Sequence, residues 1–208
     1  TLVRCDAGLP FALNWDQGLF ASTEGMIDMG GARTAPRPSD GVSLQLNQLT
    51  IAIGQPLCVT HIEPEARFPL NVVSEATNCI FVAAPRSSTG APPLTLIERQ
   101  HAPMMEQPGK RTFLRGSGNF YPNDTVLLRV ANAGQPGGTV EYKLHDRERA
   151  RDENWYTEQP SVGMVVWKRL PEPQIPVDQL TKVDFCVDDA PSNPARGAGF
   201  NPQSLPET

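Results

Sequence analysis

Apolar and polar residues alternate most cleanly along Val42-Ser43-Leu44-Gln45-Leu46-Asn47-Gln48-Leu49-Thr50-Ile51-Ala52-Ile53. A period of two puts one set of side chains on one face, so this stretch reads as a strand with one buried face. The alternation slips at Asn47-Gln48, which predicts a bulge or a hairpin turn at that point. Shorter runs at 11–15, 57–62, 94–99, 111–115, 125–130, 139–144, 162–170 and 183–187 also read as strands. Residues 78–84 are almost entirely apolar, as expected of a strand covered on both sides. The runs 125–130 and 139–144 flank Gly134-Gln135-Pro136-Gly137-Gly138 and read as a hairpin. Only 146–154 and 177–180 offer short helices.

The pattern predicts an all-β fold, an antiparallel β-barrel or sandwich of short strands with long loops and little helix. No internal repeat stands out. A single domain is expected over 1–187, with a proline-rich C-terminal tail over 188–208. Composition supports the many loops: 21 prolines and 17 glycines in 208 residues leave no room for long helices. The net charge of -5 is spread along the chain, so there is no basic stripe for nucleic acid. No run of about 18 apolar residues suits a membrane span, so no membrane insertion is expected. The chain opens on Thr1-Leu2-Val3-Arg4, without methionine or a signal-like apolar segment, which fits a processed or excised fragment.

Candidate chemistry is sparse. Cys5, Cys58, Cys79 and Cys186 match no zinc spacing. They are four buried thiols or two disulfides, and free thiols are the favoured reading. His61 beside Glu63 and Glu65, and His145 beside Asp146, are the local imidazole–carboxylate pairs, but no nucleophile completes a triad. Asp184, Asp188 and Asp189 read as a solvated acidic patch rather than a calcium loop. No catalytic residue, cofactor or metal is expected, and the chain reads as non-enzymatic. Asn123-Asp124-Thr125 is a glycosylation pattern, yet Pro122-Asn123-Asp124 has its own reason to exist as a turn. The most unusual stretch is 145–156, dense in ionisable side chains and ending in two aromatics. Arg149, Asp152, Trp155 and Tyr156 are its candidate receptor-binding residues, because arginine and aromatics dominate binding hot spots.

Three stretches, Phe11-Ala12-Leu13-Asn14-Trp15, Gly118-Asn119-Phe120-Tyr121-Pro122-Asn123-Asp124 and Gly163-Met164-Val165-Val166-Trp167-Lys168, give the chain a likeness to a known family. It resembles the capsid spike (projection) domain of avian astroviruses. That resemblance implies a small antiparallel β-barrel that pairs as a homodimer and projects from an icosahedral shell. It also implies attachment to a host-cell receptor, protein or glycan, from the virion surface after assembly in the host cytoplasm. Strands 78–84 and 162–170 would then be core or dimer interface. The alternative is a secreted bacterial adhesin or carbohydrate-binding module, which should carry disulfides such as Cys5–Cys58 or Cys79–Cys186.

Overall fold

The slip at Asn47-Gln48 is a corner inside one strand, Gly41–Ile53. Val42, Leu44 and Leu46 point into the core before it, and Leu49, Ile51 and Ile53 after it, none more than 2% exposed. The alternation changes phase because Gln48 adopts a left-handed backbone, φ 51°. That single residue turns the chain onto a new face. The same turn recurs at Gln17 (φ 54°), Asn78 (φ 53°) and Gly118 (φ 70°). These corners are stacked, since Asp16, Asn47, Thr77 and Ser117 lie side by side immediately before them.

Stacked corners mean a coiled chain. The computed structural model describes residues 1–6, 8–37, 39–84, 93–101, 109–131, 138–161, 163–169, 175 and 177–205. It is a parallel β-solenoid of about three turns. The strands in chain order are β1 (Val3–Cys5), β2 (Phe11–Ser22), β3 (Ile27–Gly30), β4 (Gly41–Ile53), β5 (Cys58–His61), β6 (Asn71–Thr77), β7 (Ile80–Ala83), β8 (Thr95–Gln100), β9 (Thr112–Ser117), β10 (Val126–Ala131) and β11 (Thr139–Lys143). One sheet has the order β1-β3-β5-β8-β10-β11. The other has the order β2-β4-β6-β9, with β7 pairing β4 beyond the corner. Every strand pair is parallel except β10–β11, the expected hairpin.

The antiparallel barrel or sandwich is therefore not what forms. Alternation reports one buried face, and the wall of a solenoid has one just as a barrel wall does. The direction of pairing is set by the connections. Here Phe11 lies beside Val42, and Gly41 beside Asn71, so each strand pairs with one about 30 residues further on. The repeat is hidden because the step then lengthens, with Val72 beside Thr112. The side chains in a stacked column also differ: Trp15, Leu46, Ala76 and Gly116 share one. Arg99 crosses this core, only 4% exposed, and donates from Nε to Thr112 Oγ1 (3.1 Å) and from Nη2 to Leu70 O (3.4 Å).

The two expected helices are short: α1 (Arg147–Asp152) and a 3-10 turn, Val177–Gln179. Strands were expected at 162–170 and 183–187, but the described residues of these stretches, 163–169 and 183–187, form none. Lys182–Phe185 is a 3-10 turn, and Trp167 and Val187 make an isolated antiparallel bridge. This C-terminal strap lies on the outer face of the strands beyond the corner. Phe185, Phe200 and Val177 pack with Ala52 and Ala84, while Ala195 packs with Ile80 and Phe120. Gly199, at φ 71°, comes so close to Thr50 and Ile80 that a Cβ would collide with both. Strand β7 is thus covered on both sides, with Phe81 facing the main core and Ile80 facing the strap. Residues 188–200 of the expected tail belong to this packed strap. Residues 85–92, 102–108 and 132–137, the last including most of the expected hairpin turn, lie outside the described residues.

Candidate functional site

The outer face of the first sheet carries an in-register row of Arg4, Asp28, Val59, Glu98, Arg129 and Glu141. Parallel register places these side chains side by side, so opposite charges pair across strands. Arg129 bridges Glu98 at 3.1 Å and Glu141 at 2.8 Å. At the other end Arg4 Nε lies 3.7 Å from Asp28 Oδ2. The next outward row adds His61 and Gln100, and His61 Nδ1 reaches Asp28 Oδ1 at 3.2 Å.

Arg4, Asp28, Val59, His61 and Gln100 floor an open groove of about 810 Å³. Glu24, Glu63 and Arg67 line it as well, and Val59, Ile62 and Pro64 supply apolar patches. Arg67 is exposed and rests over the Phe68 ring at 5.5 Å, and among the described residues no ion pair holds its guanidinium. Guanidinium and imidazole donors alternate here with carboxylate acceptors on a rigid surface. Such a groove can hold a hydroxyl-rich ligand by many directional hydrogen bonds.

The structure separates the predicted recognition residues. Arg149 and Asp152 are exposed on α1. Arg149 stacks over Tyr142 at 4.6 Å and meets Glu153 at 3.3 Å. Trp155 and Tyr156, however, are 2% and 0% exposed. They plug the last turn of the solenoid, with Trp155 edge-on to Tyr142 at 5.2 Å and Leu114 N donating to Trp155 O. These two aromatics belong to the core and not to a surface. The buried Ala150 marks the side of α1 that faces inward.

His61 pairs with Asp28 and not with Glu63 or Glu65, a partner supplied by strand stacking and therefore missed in the sequence. His145 and Asp146 make an exposed pair at 3.5 Å. The acids near the end have structural roles: Asp184 caps Thr181 and Asp189 pairs Lys168, which holds both carboxyls below the usual range. None of the four cysteines forms a disulfide. Burial pushes the Cys58 thiol up to about 12 and the Cys79 thiol up to about 11, so neither is nucleophilic near neutrality. Asn123 is exposed on a turn in which Thr125 Oγ1 donates to Pro122 O at 2.7 Å. Among the described residues no group of three or more His, Cys, Asp or Glu side chains could hold a metal ion, and no helix is long and apolar enough to cross a membrane.

A second polar cluster is buried. Glu158, 2% exposed, takes hydrogen bonds from Asn119 Nδ2 (2.6 Å) and from Tyr121 Oη (2.8 and 2.9 Å). Comparison with known protein families, curated proteins and solved structures gives no match to this chain.

Proposed function

We propose that the chain is a non-enzymatic attachment module that binds a glycan in the groove over Asp28, His61 and Arg67. The observation that carries this reading is the groove itself. It combines the exposed Arg67 guanidinium, the His61–Asp28 pair and the carboxylates of Glu24 and Glu63 over the parallel first sheet, an arrangement suited to sugar hydroxyls. Both settings considered for the sequence, a viral spike and a secreted adhesin, would use such a surface. The viral setting and the homodimer rest on the sequence resemblance alone, because the barrel that it implied is absent. Cysteines that form no disulfide do not fit the disulfide-stapled form of the adhesin.

The test is a glycan array on the intact chain, followed by titration of the strongest binder. Arg67 and Glu63 are exposed and lie outside the core. Replacing both with alanine should leave the fold intact and weaken binding by roughly tenfold or more, the loss expected for charge-assisted hydrogen bonds. An unchanged Kd would move the binding site off this groove.

A further inference from the structure

The column Trp15, Leu46, Ala76, Gly116 shrinks step by step as it climbs toward the C-terminal end. At Gly116 no side chain fits, because a Cβ would collide with Ala76 O. The bridges Leu114–Tyr156 and Ser117–Gln159 add one more rung, and Glu158 stands over Gly116 in it. Its carboxyl is buried against Asn119 and Tyr121. It sits in the rung that closes the solenoid.

We infer that Glu158 is a proton-operated latch for this closing rung, holding it shut when protonated and loosening it when ionised. The surroundings of the group carry the inference. From the 118–122 segment it faces Asn119 and Tyr121, both neutral donors. From its own rung comes Tyr156, whose buried Oη has no hydrogen-bond partner among the described residues. From the corner before β7 comes Cys79, whose backbone N–H is bonded to Asn119 Oδ1 and whose thiol stays protonated. From α1, Arg151 gives its Nη2 to Glu158 O, the backbone carbonyl, and its Nη1 to Glu148. Arg147 and Glu148 act on Tyr156 from the same helix. No ion pair to the Glu158 carboxylate occurs among the described residues. A buried carboxylate without a counter-ion is costly, and a neutral carboxylic acid is not. Tyr121 Oη touches both carboxyl oxygens, so it can donate to one and accept the acid proton from the other.

Desolvation by burial raises the Glu158 carboxyl to about 7, against the opposing hydrogen bonds of Asn119 and Tyr121. The sign follows from linkage. When the rung opens, Glu158 returns to water and to an ordinary carboxyl value near 4.5. Between those two values opening releases one proton, so the opening constant rises about tenfold per pH unit. Below the window both states are protonated and above it both are ionised, so the constant is flat outside it.

Hydrogen exchange on the intact chain tests this. The amides of Thr157 and Gln159, bonded to Leu114 O and Gly116 O, report the rung. Ile27, bonded to Leu57 O, is the control at the far end. After correction for intrinsic exchange chemistry, protection at Thr157 and Gln159 should fall by up to about three-hundredfold between pH 4.5 and 7, then level off. Ile27 should not follow. A flat profile at the rung, or an equal slope at Ile27, overturns the latch. Glu158→Gln should abolish the slope, and a slope retained in that variant also overturns it. Should Glu158→Gln not fold, Tyr121→Phe keeps its ring on Phe81, 4.7 Å away, and removes a donor to the ionised group. Its levelling-off point should move above pH 7, and an unmoved point counts against the latch.

Discussion

Gln17, Gln48 and Asn78 hold left-handed backbone at successive corners, and only the fourth corner, Gly118, uses glycine. A side chain in this region costs roughly 1–2 kcal/mol, less where a polar group finds a local bond. Gln17 and Gln48 recover part of that through their own contact, Nε2 to Oε1 at 3.1 Å. Gln48→Gly should therefore leave stability within about 1 kcal/mol, since relief of strain offsets the entropy of glycine and the lost amide contact. Gln48→Val should lose about 2 kcal/mol, because a β-branched side chain tolerates this region worst. Urea unfolding of both variants checks the contrast, and equal midpoints would mean that the corner stores no strain.

Among elements, β9 shows how tightly the turns are stacked. Gly116 has φ 139° and lies against Ala76 O. Gly116→Ala should push β9 off β6 and cost more than about 2 kcal/mol, read as a fall in urea midpoint with loss of protection at the Val72 amide, which bonds Arg111 O. Elements of this kind were partly legible in the sequence. The buried face of β4, the hairpin of β10 and β11 and the short α1 follow from local patterns. The parallel partners do not, because pairing between Val72 and Thr112 leaves no local trace in either strand. The groove was hidden for the same reason. His61 was visible beside Glu63 and Glu65, but Asp28, its actual partner, joins it only through the stacking of β3 on β5. The 145–156 stretch misled in a different way. Its charges do face water, whereas the aromatics that made it resemble a binding surface are those needed to plug the end of a solenoid.

At the scale of the whole molecule, the described hydrophobic residues form one main cluster inside the coil and two smaller ones under the strap. The main cluster draws on every turn and on the closing rung, and it contains no residue beyond Tyr156. The strap is held by Phe185 and Phe200 against Ala52 and Ala84, by Gly199 N to Asn78 O (2.7 Å) and by Phe200 N to Thr50 Oγ1 (3.3 Å). In a solenoid, stability is approximately a sum of turn and neighbour terms, so a layer outside the coil can separate from it. Phe185→Ala together with Phe200→Ala should remove several kcal/mol from the strap and little from the main core. Limited proteolysis should then cut within 163–205 at urea concentrations where far-UV circular dichroism still reports intact sheet. In the parent chain both signals should change together. If the variant loses sheet and strap at one midpoint, the strap is part of the solenoid's cooperative unit, and its two aromatic anchors support the coil as much as its own interior does.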